Sequence, residues 1–278
     1  MSRLSLPVGL ALAALTLTSV RPAAAITTIA QDSADDSAYG GPSNSNISGT
    51  INGNNGGTGF NAFSLVNNPN NVNGSFIAHG SPIGSGTYSN AFNLFNSSSI
   101  ISIDATRSFT TPLAVGSAFS TDFRNTGITG PLGFVAYTLR DTTGTTLFKF
   151  DFIGGQNDYF YGDGTTRADT GLYYTQGGLH TSLTLTTPTT YSFSVQRLGD
   201  ASPSTFTGTL GTGGAIDRVV FTDNGNGDNS DTQFNNLKIT APNVAAAPEP
   251  SQMAALAICA LGLGGLMLAR RRQNMRLA

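Results

Sequence analysis

The 278-residue chain has no tryptophan, one cysteine, two histidines and few charges, with 14 basic against 16 acidic residues. A single cysteine excludes an internal disulfide and a cysteine-based zinc site. The net charge of −2 and the lack of a basic patch exclude nucleic acid as a partner, because phosphate neutralisation has no basis here. The 39% of hydrophobic residues still supports one main folded domain.

Glutamate is almost missing as well, since Glu249 is the only one and every other acid is aspartate. Glycan-cleaving sandwich enzymes use a pair of carboxylates, commonly glutamates. An aspartate pair remains open, formed by Asp151 with Asp104 or Asp122, and the alternative is that these carboxylates face solvent. No nucleophile elbow or metalloprotease motif accompanies the histidines. We therefore expect a protein that is not an enzyme and has no cofactor.

The N-terminal residues 1–25 have the pattern of an export signal. Arg3 precedes an apolar run from Leu4 to Leu17, and the small-residue segment 23–25 follows. This order is typical of a secretory signal peptide that is cleaved after Ala25. We expect signal peptidase to remove it.

The C-terminal residues 248–278 have a different pattern. Pro248, Glu249 and Pro250 precede the uncharged segment 253–269, and the cluster Arg270, Arg271 and Arg272 follows it. Seventeen helical residues extend over about 26 Å, which is marginally enough to cross a bilayer as a transmembrane helix. The positive-inside rule keeps the arginines cytoplasmic and places the preceding chain outside.

This C-terminal segment resembles the PEP-CTERM sorting signal of Gram-negative bacteria. The resemblance implies recognition by an exosortase, cleavage near the motif, and delivery to the cell surface or extracellular matrix after transient anchoring in the cytoplasmic membrane. A plain C-terminal anchor is the alternative. Five short segments of the exported part are similar to an uncharacterised group of PEP-CTERM surface proteins with a lectin-like jelly-roll pattern. They are residues 32–39, 54–60, 107–109, 113–116 and 234–237.

The exported part is dominated by two-residue periodicity, which predicts half-buried strands. Turn-forming Asn-Gly, Gly-Gly and Asp-Gly pairs separate the strands. The eleven predicted strands are 60–66, 75–79, 88–95, 117–124, 133–140, 148–152, 183–185, 191–195, 205–210, 216–222 and 232–239. We expect an all-β fold, an antiparallel β-sandwich of the jelly-roll or lectin-like kind, followed by the C-terminal transmembrane helix.

The domain boundaries follow from composition. The sandwich is predicted over residues 26–240, with an exposed Gly/Asn-rich loop at 44–59 and a small, apolar linker at 241–247. Between residues 26 and 247 the chain carries 15 aspartates against eight basic residues, so the exported part is acidic.

One polar loop between two predicted strands is a candidate calcium site. Its candidate ligands are Asp223, Asn226, Asp228 and Asp231, because calcium prefers carboxylate and amide oxygens. If the first and last strands pair, Asp35 or Asp36 could complete the site. A plain polar hairpin loop without metal is the alternative.

The sequence indicates a structural or adhesive protein of an exopolysaccharide or biofilm layer. A carbohydrate-binding module is the alternative, and a polysaccharide hydrolase a further one. Such a module needs exposed aromatic side chains on which sugar rings stack. Without tryptophan, the candidate stacking residues are Tyr159, Tyr161, Tyr173 and Tyr174.

Overall fold

The computed structural model describes residues 25–40, 51–66, 73–83, 90–96, 102–128, 130–131, 133–224 and 230–242. From Ile26 onward they belong to one compact unit, Ile26–Pro242. This part of the chain contains a short 3-10 helix, Ser37–Tyr39, and fifteen strands. The strands are β1 Ile26–Asp32, β2 Ser64–Val66, β3 Asn73–His79, β4 Asn90–Asn96, β5 Ile103–Ser108, β6 Ala118–Asn125, β7 Phe134–Arg140, β8 Thr146–Ile153, β9 Asp158–Gly162, β10 Ala168–Tyr173, β11 Leu179–Leu185, β12 Thr190–Arg197, β13 Ser204–Thr209, β14 Arg218–Asn224 and β15 Ser230–Pro242.

The strands form two antiparallel sheets that pack face to face. The first sheet has eight strands in the order β13-β12-β11-β6-β15-β4-β3, with β1 also paired to β15. The second has seven, in the order β10-β9-β8-β7-β14-β5-β2. The prediction of an all-β antiparallel sandwich is confirmed.

Alternation along the strands separates the core from the surface. In β12, Tyr191, Phe193 and Val195 are buried, and the serines between them are half-buried. The two-residue period of a strand sends these two sets to opposite faces of the sheet. One face therefore lines the core and the other is polar.

Aromatic rings from the two sheets fill the space between them. Phe221 of the second sheet stacks on Phe234 of the first, with centroids 3.7 Å apart, and Phe148 contacts Phe193 at 4.9 Å. Each such ring buries about 150–250 Å². This packing fixes the distance between the sheets.

Strand β15 is the central element of the first sheet. Along one side it pairs with β6, whereas its other side pairs with β4 over Ser230–Phe234 and with β1 over Leu237–Pro242. The first and last strands therefore pair, which was the condition for Asp35 or Asp36 to approach the candidate calcium loop. The change of partner leaves a junction between β4 and β1.

Four strands were not predicted: β1, β5, β9 and β10. In β1 and β5 the charged residues Asp32 and Arg107 occupy core-facing positions, which interrupts the apolar alternation. Strand β15 extends to Pro242, so it includes the first two residues of the segment predicted as a linker at 241–247. These two residues pair with Ile26 and Thr27 and belong to the sheet.

Among the residues that the structure describes, no helix is long and apolar enough to cross a membrane. The predicted helix at 253–269 lies outside those residues, as do the signal peptide up to residue 24 and the sorting motif.

Candidate functional site

A polar cleft of about 370 Å³ opens on the first sheet where β15 changes its partner from β4 to β1. Its wall consists of the end of β1 and the following turn, and its floor consists of β15. The lining residues are Gln31, Asp32, Ser33, Asp35, Asp36, Asn236, Leu237 and Lys238. Amide, carboxylate and ammonium groups thus meet in one concave place.

A β-bulge shapes the floor of this cleft. The pairing of β15 with β6 shifts register between Asn235 and Lys238, and Asn236 has a φ of 52°. Asparagine tolerates this left-handed conformation better than most residues. The Asn236 side chain donates from Nδ2 to Oδ2 of Asp122 at 2.7 Å, which fixes its orientation.

Side-chain hydrogen bonds hold the wall of the cleft against the sheet. Oδ1 of the buried Asn235 accepts from the Ala34 amide at 2.8 Å, and its Nδ2 donates to the Asn90 carbonyl at 2.7 Å. In return, the Asn90 amide donates to Asp35 Oδ1 at 2.7 Å. These hydrogen bonds hold the turn that follows β1 at the point where β15 changes its partner from β4 to β1.

A buried ion pair anchors the same turn from inside the sandwich. Arg107 donates from Nη2 to Asp32 Oδ2, and both side chains are 0% exposed. Tyr39 also donates to this oxygen, at 3.1 Å. Because Asp32 is on β1 and Arg107 on β5, the pair joins the two sheets directly behind the cleft wall.

The Gly/Asn-rich loop completes the surroundings of Arg107. Nη1 donates to the Asn54 carbonyl at 3.1 Å and Nη2 to Asn55 Oδ1 at 2.6 Å. The guanidinium also lies 4.4 Å from the ring centroid of Phe63. Residues 51–59 of the loop predicted at 44–59 thus have a structural role that their composition did not reveal.

The environment of Asp32 changes its acidity. Burial raises the pKa of Asp32 to about 6, because the loss of hydration outweighs the opposing effect of the Arg107 charge. Among the described residues, Asp32 Oδ1 and Arg107 Nε have no hydrogen-bond partner. The pair is therefore enclosed but incompletely satisfied.

A hydrogen-bonded chain continues from the cleft across the surface. Asp122 Oδ1 lies 2.7 Å from Nδ1 of His180, whose side chain is 46% exposed, and Asp122 Oδ2 accepts from Asn236. The buried carboxylate thus orients an exposed imidazole. From sequence, Asp122 was a candidate only as half of an aspartate pair.

Rows of hydroxyl groups cover the outer face of the first sheet beside this chain. Ser120, Ser182, Ser194 and Thr205 are successive cross-strand partners on β6, β11, β12 and β13. Thr184, Ser192 and Thr207 form a second row. Neighbouring positions within a row are about 4.8 Å apart, so the hydroxyl groups form a regular array.

The structure separates the four tyrosines predicted as stacking residues. Tyr159 is fully buried and stacks on Phe150 at 5.5 Å, so its prediction as a ligand platform is wrong. Tyr161, on the same face of β9, packs against the core at Phe206. The physical reason is strand alternation, which sends both rings inward.

The other two tyrosines differ from each other. Tyr174 is half-buried against Phe152, and its hydroxyl donates to the Asn125 carbonyl at 3.3 Å. Tyr173 alone of the four is exposed, at 63%. The described residues thus offer one exposed tyrosine where a platform of several was predicted.

The predicted calcium ligands are described only in part. Asp223 is fully buried at the end of β14, and its Oδ2 accepts from Thr232 at 3.0 Å. Asn226 and Asp228 lie outside the described residues, as does the side chain of Asp231. Within the described ranges, no three metal-ligating side chains of the His, Cys, Asp or Glu type cluster together. Calcium binding stays a prediction.

The sorting residues Pro248, Glu249, Pro250, Arg270, Arg271 and Arg272 lie outside the described residues too. Their role stays a prediction.

The candidate catalytic aspartates lie on different outer surfaces. Asp122 is on the first sheet, whereas Asp104 and Asp151 are on the second. Register places Thr222 and Ala136 between these two, so three strand spacings, about 14 Å, separate them. The described aspartates therefore do not form the pair that the sequence left open.

Asp151 is instead the centre of a charge cluster on the second sheet. It lies 3.0 Å from Lys149 Nζ and 3.2 Å from Arg167 Nη2. Each cation also lies over an aromatic ring, Lys149 over Phe134 at 4.7 Å and Arg167 over Phe160 at 4.1 Å. The two cations neutralise the Asp151 charge, although its Oδ2 has no hydrogen-bond partner among the described residues.

Comparisons with known proteins yield similarities of shape only. No protein-family model matches the chain, and no curated protein gives a significant sequence match. A sialidase structure has a TM-score of 0.47 at 11% identity over 64% of this chain, which spans only 17% of the sialidase.

Two other solved structures are matched over most of their length. A carbohydrate esterase of Shiga toxin-encoding bacteriophage phi24B has a TM-score of 0.48 at 12% identity, over 78% of this chain and all of the esterase. The cellulose-induced protein Cip1 has a TM-score of 0.45 at 13% identity, over 66% of this chain and 94% of Cip1. Similarities this low carry no conclusion about ligand or activity.

The cleft itself was not predicted from sequence. Asp35 and Asp36 were considered as calcium ligands, but Gln31, Asn236 and Lys238 were not singled out. The adjacent asparagines at 235 and 236 within a predicted strand were a local signal for a bulge, because asparagine is unfavourable in regular strands.

Proposed function

We propose that the protein is an exported, non-enzymatic component of the cell surface or extracellular matrix that contacts glycans of an exopolysaccharide layer. The observation that carries this proposal is the polar cleft at the β15 bulge, together with the hydroxyl rows beside it. Both lie on the outer face of the first sheet.

The chemistry of the cleft suits a polyhydroxylated ligand. Sugar hydroxyls donate and accept hydrogen bonds, and the amides of Gln31 and Asn236 do both. The carboxylates of Asp35 and Asp36 accept, and the exposed Lys238 donates. The adjoining serine and threonine rows add weaker contacts along an extended chain.

The proposal that it is not an enzyme is supported by the positions of the aspartates. Carboxylates of inverting glycosidases are about 6.5–9.5 Å apart and those of retaining enzymes closer. Asp104 and Asp151 are separated by about 14 Å, and Asp122 is on the other sheet.

Binding of the purified chain to a glycan array and to soluble polysaccharides tests the contact site. We expect Gln31→Ala combined with Lys238→Ala to weaken binding at least tenfold, because both exposed side chains line the cleft. Tyr173→Ala, also exposed but on the second sheet, is the control.

The outcomes separate the candidate functions. Loss of binding in Tyr173→Ala alone would favour a carbohydrate-binding module that stacks sugars on Tyr173. It would overturn the proposal that the cleft is the binding site. No binding to any glycan would overturn glycan contact and leave a purely structural role.

Export is proposed from the two terminal segments, with signal peptidase and an exosortase as processing partners. Mass spectrometry of the protein recovered from cell surface and medium tests it. We expect residues 1–25 and the segment after Pro250 to be absent. An intact C-terminus would contradict the sorting proposal and leave a plain membrane anchor.

A structural calcium ion at the loop containing Asp223 is a separate proposal. Differential scanning calorimetry with calcium and with a chelator tests it. We expect calcium to raise the melting temperature, because an ion that binds only the folded state stabilises it. An unchanged melting temperature would remove the calcium site.

A further inference from the structure

Strand β13, Ser204–Thr209, forms one edge of the first sheet and differs from the other edges. It pairs with β12 through six consecutive residues without a register shift. Within the described part of the chain, no residue hydrogen-bonds to its opposite side. An open edge of this kind presents unpaired N–H and C=O groups to another strand.

The other described edges carry features that hinder pairing. Strand β1 has a bulge between Thr28 and Ala30, and β10 loses register between Asp169 and Tyr173. Strand β2 has only three residues. Residue 51 lies against β3, where the Ile51 amide donates to the Ser75 hydroxyl oxygen at 3.1 Å. Bulges, short length, charges and covering segments protect edges against association. Strand β13 has none of these.

Charge indicates which partner fits this edge. The exported part has 15 acidic against eight basic residues, so two copies repel each other over most of their surfaces. The segment 201–214 around β13 contains no charged residue. Contact between two copies at this edge therefore brings no like charges of the strand itself together.

The sequence of the strand is also self-complementary. In an antiparallel pair centred on Thr207, this threonine faces its own copy and Thr205 faces Thr209, so three threonine pairs form on the outer face. Thr205, Thr207 and Thr209 are all exposed in the single chain. On the inner face, Phe206 lies opposite Gly208, which places a large side chain beside the smallest one. Such cross-strand pairs stabilise a sheet.

From these observations we propose that β13 is a dimerisation edge, where a second copy of this chain adds its own β13 antiparallel to the first, centred on Thr207. The first sheets of the two copies then form one continuous sheet. The hydroxyl rows that end at Thr205 and Thr207 continue into the second copy. The pairing is independent of glycan binding.

Cysteine cross-linking of the full chain tests the register, with Cys259 replaced by alanine. Directly opposite residues have Cα atoms about 4.5–5.5 Å apart, which a disulfide can bridge. We expect Thr207→Cys to form a covalent dimer under mild oxidation. Thr209→Cys is the matched control, because the two 209 positions are about 14 Å apart in this register. Mixing Thr205→Cys with Thr209→Cys should restore cross-linking.

Sedimentation equilibrium provides an independent measurement of the same interface. We expect a concentration-dependent dimer, weakened about tenfold or more by Thr207→Lys, because the two ammonium groups would face each other. Thr184→Lys, in the same row but two strands from the edge, should leave dimerisation unchanged. A monomer at every concentration, a dimer insensitive to Thr207→Lys, or cross-linking at 209 in place of 207 would overturn the proposal.

Discussion

Two of the ion-pair centres in the described part of the chain differ mainly in the access of their cations to water. Asp32 and Arg107 lie between the sheets with side chains 0% exposed. Asp151 lies on the outer face of the second sheet, and its partners Lys149 and Arg167 are 25% and 36% exposed. The aspartate side chains are buried in both centres, at 0% and 1% exposure, so the comparison concerns how far the cations reach water.

Because it is buried, the ion pair of Asp32 and Arg107 is expected to hold the two sheets together. If one partner of this pair is removed, the other charge stays buried where water cannot reach it. The Arg107 guanidinium also cannot lose its proton to become neutral. At the outer centre, a cation that loses its partner can turn toward solvent. We infer that the inner pair holds the cleft wall, whereas the outer centre contributes little to stability.

The largest expected effect is that of Asp32→Ala. At neutral pH this change leaves Arg107 buried and unpaired, and we expect a loss of about 3–5 kcal/mol in the free energy of unfolding. Urea denaturation measures it. Because Asp32 precedes the turn that lines the cleft, glycan binding should weaken as well.

The double variant Asp32→Leu with Arg107→Leu is the control for this prediction. Replacing both charges by apolar groups leaves no buried, unpaired charge. The double variant should therefore lose less free energy of unfolding than Asp32→Ala alone. A double variant that is less stable than Asp32→Ala would show that the other contacts of Arg107, with Asn54 and Asn55, outweigh the cost of leaving it unpaired.

The second-largest expected effect is the pH dependence of the stability that Asp32 contributes. The pKa of Asp32 is raised from 3.8 to about 6, so between these values the folded state holds a proton that the unfolded state has released. The corresponding stabilisation is present below pH 3.8 and is lost as the pH rises through 6. Its size is of the order of 3 kcal/mol, from about two pKa units.

Asp32→Asn removes this titration and provides the comparison. We expect the wild-type protein to lose stability relative to the variant as the pH is raised from 4 to 7. Parallel stability curves for the two proteins would contradict a raised pKa. Carbon NMR of the aspartate carboxyl groups gives a second measurement of the same titration.

The strands that were predicted and those that were missed differ in which residues occupy their core-facing positions. Phe193 and its neighbours on β12 alternate with serines, and such strands were predicted. In β1 and β5, Asp32 and Arg107 take core positions, and neither strand was predicted. The sequence does not show that two distant charges will be neutralised by each other in the interior.

The candidate site was less predictable than the fold, because it depends on contacts remote in sequence. The cleft exists since β15 changes its partner between Phe234 and Leu237, which no local pattern reveals. Tyr159 was wrongly predicted as a platform, because an aromatic run does not indicate which face of its strand points inward. The exposed Tyr173 was distinguishable from it only in the folded protein.

The smallest expected effect is that of Lys149→Ala at the outer centre. This change removes an ion pair of 3.0 Å and a contact with Phe134, but Arg167 still pairs with Asp151. Partly exposed pairs are worth about 0–1 kcal/mol, so the free energy of unfolding should fall by no more than that. Arg167→Ala is the matched variant, with the same partner and its own aromatic contact. If either variant loses as much free energy of unfolding as Asp32→Ala, the outer centre contributes as much to stability as the inner pair. The exposure of its cations would then not explain a difference between the two centres.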